Sequence, residues 1–298
     1  MTIPLRNIAR KLLSVTARVG LVLLCSILLA IVLRVFVVSS FKIPTPSMTP
    51  AIQPGDFILV NKLILGPRLF KNTRFLEGGK VETIRLPGFR KIRHNDVLVF
   101  NFPYSGTERL RMDINVYYVK RCVAISGDTF YIKDAFYHVK GCGDTLGNYP
   151  NQVAYSRLLH EGAMAAPQSY PYEHNHPWTV QLFGPLYIPK AKDVLPIDTG
   201  NVALYGRLIE YETDQSIHIS NDTVFLDNKP LKRHRFRYNY YLMAGDNVMD
   251  SRDSRFWGLL PEDHIVGKAT RIWKSIDPGT GKWRMERVME RVMIHVVI

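Results

Sequence analysis

The chain has 298 residues, 46% hydrophobic and 22% charged, a composition that suits one or two folded domains and excludes a disordered tail, a collagen-like chain and a multi-span transporter. Thirty-nine Lys and Arg against 26 Asp and Glu leave a charge of +13, which calls for an anionic partner, either nucleic acid or a lipid surface. Three cysteines, Cys25, Cys122 and Cys142, are too few for a disulfide scaffold and lack zinc-site spacing, so a hydrophobic core must supply the stability. Cys122 and Cys142 could pair, but separate burial is the expectation.

Residues 19–33 are apolar or small apart from Ser26, and Arg34, Val35, Phe36, Val37 and Val38 follow. A helix of about 20 residues spans about 30 Å, the thickness of the hydrocarbon layer. Arg34, near the outer end, can snorkel to the interface. Arg6, Arg10, Lys11 and Arg18 precede the span without an acidic residue, so the positive-inside rule puts residues 1–18 in the cytoplasm and the chain beyond residue 40 outside. A cleavable signal peptide and a buried core helix are the competing readings. No Ala-x-Ala-like site ends the run, and an uncleaved single-pass anchor at 19–38 in a cytoplasmic (inner) membrane is expected. The positive charge then points to membrane lipid, not nucleic acid.

Beyond the anchor the pattern is mainly β. Short apolar runs bounded by turn residues predict strands at 56–60, 96–100, 115–125, 130–132, 238–243 and 266–273. Residues 130–139 and 217–226 resemble each other as two hairpins. One helix is expected at 201–211 with Asn201 as its cap. Residues 142–192 are irregular and rich in Pro, Gly, Asn and His, which marks an insertion between two halves of a β core. Between 61 and 95, nine basic residues face Glu77 and Glu82 and alternate with Leu63, Ile64, Leu65, Leu69 and Phe70. That pattern fits a solvated basic loop or a segment lying on the outer lipid surface. Residues 285–298 read as a short amphipathic helix or a frayed tail. The run Glu173-His174-Asn175-His176 reads as surface loop, not as metal ligands.

Three segments could carry chemistry. In residues 41–50, Phe-Lys-Ile-Pro-Thr-Pro-Ser-Met-Thr-Pro, the prolines fix φ and push their predecessors toward extended geometry, which would preorganise Ser47. A rigid linker is the plainer reading of that segment alone. Lys120 lies inside the strand-like run 115–125, so it must have a partner, face solvent at an edge, or be desolvated. Desolvation lowers a lysine's pKa. A free lysine is neutral only about once in 2,500 molecules at pH 7, a handicap of roughly 4.6 kcal/mol that burial can largely remove. Residues 245–258, Gly-Asp-Asn-Val-Met-Asp-Ser-Arg-Asp-Ser-Arg-Phe-Trp-Gly, suit either a solvated turn or a loop that orients other groups through ion pairs and hydroxyls.

Taken together, these segments resemble bacterial type I signal peptidase (leader peptidase), a membrane-anchored family with a Ser-Lys dyad. Its nucleophile motif is similar to residues 44–52 followed by Gly55-Asp56. Its lysine motif is similar to Lys120-Arg121 with Gly127-Asp128, and its third motif to residues 245–258 except at 248–250. Pro261 and Gly267-Lys268-Ala269 continue the likeness, which covers about half the chain well and residues 142–235 hardly at all. The resemblance implies an antiparallel β core formed by 39–141 and 236–277, an inserted β-rich cap at 142–235, and a tail at 278–298. It implies a serine endopeptidase that removes signal peptides from exported preproteins through an acyl-enzyme, without metal or cofactor, and contact with the export machinery. Ser47 would be the nucleophile and Lys120 the general base. The Ser47 N–H and Thr45 hydroxyl would form the oxyanion hole, and Ser251 would orient Lys120. Asp253–Arg255 and Asp246–Arg121 would be supporting ion pairs. Phe41, Ile43, Met48, Ile52 and Val119 would line shallow pockets for small side chains, and the extended substrate would pair with a strand near the serine.

The departures are Val248 and Met249 for the family's Arg and Asp, Ser126 for Pro, Ala51-Ile52 for Thr-Leu, and Pro46, which lacks an N–H. Those at 248–250 leave a catalytically silent relative, an anchored peptide-binding module, as the alternative. A Ser-Lys self-cleaving repressor would need a DNA-binding domain where this chain has its anchor.

Overall fold

A computed structural model describes residues 5–71, 81–104 and 109–292, with side chains from residue 15 onward. Helix α1 (Leu5–Val32) continues as a wider π-helical turn, Leu33–Val37. Residues Val15–Val37 are long and apolar enough to cross a membrane, and none of this stretch is buried against the rest of the chain. A helix that exposes an apolar surface on every side needs a nonpolar solvent.

The helix runs directly into the first strand of a seven-stranded antiparallel sheet. Its strands are β1 (Val38–Lys42), β2 (Asp56–Asn61), β3 (Val97–Asn101), β4 (Tyr117–Ala124), β5 (Tyr240–Ala244), β6 (Leu260–Pro261) and β7 (Ile265–Ser275). Their order is β1-β2-β7-β3-β4-β5-β6. All five residues of β3 are buried, as expected for a central strand covered on both faces. β7 pairs with β2 and β3 through three register shifts. Such bulges bend and twist a strand, which lets one strand of 11 residues join the two halves of the sheet.

The remaining chain covers one part of this sheet. Phe136–Val139, Thr129–Lys133 and Phe183–Tyr187 form a three-stranded sheet that joins strands from either side of residue 142. Phe130, Leu186 and Leu208 share one core with Val123 and Ala124 of β4 and Leu242 of β5. The three-stranded sheet and the main sheet are therefore stabilised by the same buried surface. Both expected hairpins are present.

Helix α2 (Tyr149–His160) lies in the stretch read as irregular. It buries only Gln152, Tyr155 and Ser156, so it has no apolar stripe to betray it. Its start signal was nonetheless present: the Asn148 side chain accepts from Asn151 N at 3.1 Å, and Pro150 sits in the first turn. Helix α3 (Val202–Thr213) follows Asn201, but that side chain does not cap it. Asn201 Oδ1 accepts instead from Asp198 N at 3.1 Å.

Over residues 285–292 the tail is neither an amphipathic helix nor frayed. After one 3-10 turn, Met285–Arg287, it runs beside β7, with Met289 N donating to Ile272 O at 2.6 Å and Val292 N to Thr270 O at 3.1 Å. Val292 joins Ile43 and Ile52 in the core. Residues 293–298 lie outside the described residues, as do 72–80 of the basic stretch. Part of that stretch turns inward. Arg68 donates to Asp263 O at 2.7 Å and Arg85 to Glu262 O at 2.9 Å, so these two guanidiniums serve the fold and do not sit on a solvated face.

Candidate active site

The connection between β1 and β2 carries Ser47. It is closed at its base by Ile43 N donating to Asp56 O and Gly55 N donating to Ile43 O, both at 2.8 Å. Met48, Ala51 and Ile52 are buried beneath it, and Thr49 N donates to Pro46 O at 2.9 Å. Apolar anchors thus pull the loop into the core on either side of the serine. Gly55 has φ +90, and a Cβ there would lie 1.9 Å from Ile276 O, so only glycine fits.

Asp56, next to it, is fully buried and is the acceptor of a dense network. Ser275 Oγ donates to it at 2.7 Å, Gln53 N at 2.8 Å and Arg287 Nη2 at 2.7 Å, while Arg284 Nη2 lies 3.3 Å away. The same two arginines donate to Ala51 O at 3.2 Å and Pro54 O at 2.6 Å. The tail therefore clamps the serine loop from behind. The sequence reading missed these arginines, because nothing in the local pattern of 284–287 indicates which carboxylate they serve.

Lys120 projects from the middle of β4, opposite Leu98 of β3. It is 4% exposed, and its Nζ makes a hydrogen bond with Ser47 Oγ. Burial lowers its pKa from 10.5 to about 8; Asp253, Asp246 and Asp250 oppose the shift and Arg255 adds to it. Burial dominates because the nearest full carboxylate charges are already committed to arginines.

β5 pairs with β4 so that Ala244 faces Arg121. The chain therefore leaves β5 beside the lysine and delivers the loop at 245–253 to it. Arg121 Nε donates to Asp246 Oδ1 at 2.6 Å, with both side chains buried. Arg255 reaches both Asp253 oxygens at 2.8 Å. Burial pushes the Asp253 carboxyl up, but the Arg255 charge and hydrogen bonds prevail and hold it below the usual value. Arg255 Nη2 also donates to Val248 O at 3.0 Å. Val248 is buried with Ala135, Tyr155 and Val180. In place of a charged side chain, an apolar contact to α2 thus holds this part of the loop.

Asn151, absent from the sequence reading, and Gly245 tie the loops together. Asn151 of α2 donates to Asp246 O at 2.7 Å and to Thr49 O at 3.3 Å, which links α2 to both the serine loop and the 245–253 loop. At Gly245 a Cβ would meet Ser251 Oγ at 2.2 Å and Ser47 O at 2.5 Å, so glycine permits the closest approach of the two loops. Asn247 N seals that approach with a bond to Ser47 O at 3.1 Å.

Thr45 Oγ1 lies 3.4 Å from Ser47 Oγ. The expected bond from Ser251 to Lys120 is not formed. Ser251 Oγ is buried without a hydrogen-bond partner among the described residues, packed into the space that Gly245 leaves. Phe41, Ile43, Met48 and Val119 line a groove of about 360 Å³ that also includes Thr45, Ser47 and Lys120. Ile52 is a correction: it is fully buried in the core beneath the loop and not among the groove's lining residues. Tyr117, Tyr118, Asp250 and Arg252 are also in the wall. All three cysteines are free, Cys122 buried and Cys142 half-buried.

A serine hydroxyl against a desolvated lysine, at the end of an open groove on an antiparallel β scaffold, has the makings of a serine–lysine hydrolase. Comparison with known sequences agrees with that class. The family described as "Signal peptidase, peptidase S26" matches residues 16–174 and 193–274, and the chain belongs to this family. It is similar to the signal peptidase I of Buchnera aphidicola from Acyrthosiphon pisum, with 27% identity over 85% of this chain and 73% of the relative. For signal peptidase I of Pseudomonas aeruginosa the values are 28%, 83% and 68%, and for that of Aquifex aeolicus 26%, 84% and 80%. Nothing in the geometry or the comparisons favours the catalytically silent alternative.

Proposed function

We propose that this protein is a membrane-bound serine endopeptidase that removes signal peptides from preproteins, with Ser47 as nucleophile and Lys120 as general base. The hydrogen bond between a buried, pKa-lowered lysine and the serine hydroxyl carries the reading. A neutral Lys120 amine accepts the Ser47 proton as the oxygen attacks the scissile carbonyl. The Ser47 N–H has no acceptor among the described residues, and with the nearby Thr45 hydroxyl it can hold the developing oxyanion. Lys120 then gives its proton to the leaving amine, and a water activated by the same amine releases the acyl group.

Extended substrate would lie along the groove against Tyr117, Tyr118 and Val119. Ile43 and Met48 on the apolar floor would select small side chains next to the cut. Ser251, without a partner of its own, would turn toward Lys120 once the amine is neutral. The exposed apolar helix supports an inner-membrane protein, and the basic residues before it favour the N-terminus in the cytoplasm and the β core on the outer face. Exposed Phe70, Phe89, Trp273 and Trp283, together with the half-buried Lys62, support contact between the core and the lipid surface.

The test is cleavage of a preprotein by the detergent-solubilised chain. Ser47→Ala should abolish it while leaving the fold intact, and persistent cleavage by a clean Ser47→Ala preparation refutes the assignment.

A further inference from the structure

We propose that His94, Cys142 and Asp144 form a binding site for a thiophilic divalent cation such as zinc, separate from the dyad, where the cap joins the catalytic core. One ligand atom from each residue lies within 4.8 Å of the other two. The three come from two segments, His94 from the loop before β3 and the others from the turn after Phe136–Val139. Their convergence is therefore a product of the tertiary fold.

The surroundings of His94 match what a metal-bound imidazole needs. Its Nε2 is 2.7 Å from Asp128 Oδ2, and Asp128 is itself fixed by Ile125 N at 2.8 Å. Metal-ligating histidines almost always give their second ring nitrogen to a carboxylate or carbonyl, which fixes the tautomer and raises ligand basicity. With Nε2 held in this way, Nδ1 is the nitrogen left to bind a cation.

Cys142 is half-buried and unpaired, and Asp144 is exposed. The thiol proton leaves to solvent on binding. Thiolate and carboxylate then balance the two charges of the cation, and water fills the fourth tetrahedral position on the open side. A thiolate with an imidazole favours zinc over calcium or magnesium. His176 of the 173–176 run lacks this setting: its ring packs on Trp178 with centroids 5.0 Å apart, and its Nδ1 is buried without a hydrogen-bond partner among the described residues.

The location gives the site a purpose. Asn95, next to His94, donates to Thr145 O at 2.8 Å and accepts from Gly147 N at 2.9 Å. Its own carbonyl accepts from Arg121 at 2.9 Å. The turn at 142–147 leads into α2, which carries Asn151 to the serine loop. A cation bridging residues 94 and 142 would staple together the two strands of chain that the Asn95 hydrogen bonds join at this seam.

The test is a titration of the detergent-solubilised full chain with cobalt(II), read by absorption. One equivalent should produce an intense near-ultraviolet thiolate-to-cobalt band with visible tetrahedral bands, displaced by zinc. Cys142→Ser should abolish the near-ultraviolet band. His94→Gln and Asp128→Asn should each weaken cobalt binding tenfold or more. Zinc should raise the thermal midpoint of the unmodified chain and leave that of Cys142→Ser unchanged. Absence of the band at millimolar cobalt, its persistence in Cys142→Ser, or its indifference to His94→Gln would each overturn the proposal. None of these results depends on proteolytic activity.

Discussion

Replacing Lys120 by methionine should destroy activity and at the same time stabilise the fold. The side chain keeps its length and its packing, and it loses only an amine that the folded state holds in a poorly solvating place. The pKa falls from 10.5 to about 8, first because of burial. At about 1.4 kcal/mol per pH unit, this corresponds to about 3 kcal/mol of disfavoured protonation at pH 7. The sign follows from proton counting. Between about 8 and 10.5 the unfolded chain binds a proton on this residue and the folded chain does not, so stability rises with pH through that window.

Below about pH 8 the unmodified protein carries the full penalty, and Lys120→Met is free of it. Loss of the hydrogen bond to Ser47 offsets about 1 kcal/mol. The variant should therefore be about 2 kcal/mol more stable at pH 7, roughly 4–8 °C in thermal midpoint for a chain of this size. The advantage should shrink as the pH is raised toward 10. Unfolding of both proteins in the same detergent, followed at pH 6, 7, 8 and 9.5, measures it. A variant less stable at pH 7, or a difference that ignores pH, would show that the amine is not desolvated and would remove the basis for a neutral lysine. The same titration sets the rate: kcat/KM of the unmodified enzyme should climb about tenfold from pH 6 to 7 and level off above pH 8.

Arg287→Ala leaves the buried Asp56 carboxylate short of its closest cation. Breaking such a pair costs about 3–5 kcal/mol, and kcat should fall with it, because Arg287 also holds Ala51 O; unfolding midpoints alongside turnover at saturating substrate check both. Gly245→Ala drives a Cβ into Ser251 and Ser47 O, so cleavage should fall at least tenfold with circular dichroism unchanged. Asn151→Ala removes two hydrogen bonds that join the cap to the serine loop and to Asp246. It should cost about 1–3 kcal/mol of stability and lower kcat more than it raises KM.

The main strands were readable because period and turn residues are local properties. Residues 96–100 and 115–125 needed only their apolar runs and boundaries to be recognised. Helix α2 escaped because it buries one thin face of mostly polar residues, although Asn148 and Pro150 announced its start. The tail escaped for a different reason: its partner, β7, lies ten or more residues away along the chain and the contact is made by backbone hydrogen bonds, which leave no pattern in side-chain type.

At the site, Ser47, Lys120 and the 245–258 loop stood out by resemblance, and residue types alone left each with an ordinary explanation. Sequence by itself determined the apolar anchor, the strand-rich core and the stiff proline-flanked serine, because hydropathy, periodicity and fixed φ act within a few residues. Only the folded chain decided that Lys120 is out of water and against Ser47, that Ile52 is core and not pocket, and that Arg287 and Asn151 both brace the serine loop. Desolvation and long-range hydrogen bonding depend on what surrounds a group, and here the surroundings are assembled from segments more than 70 residues apart along the chain, as Ser47 and Lys120 are.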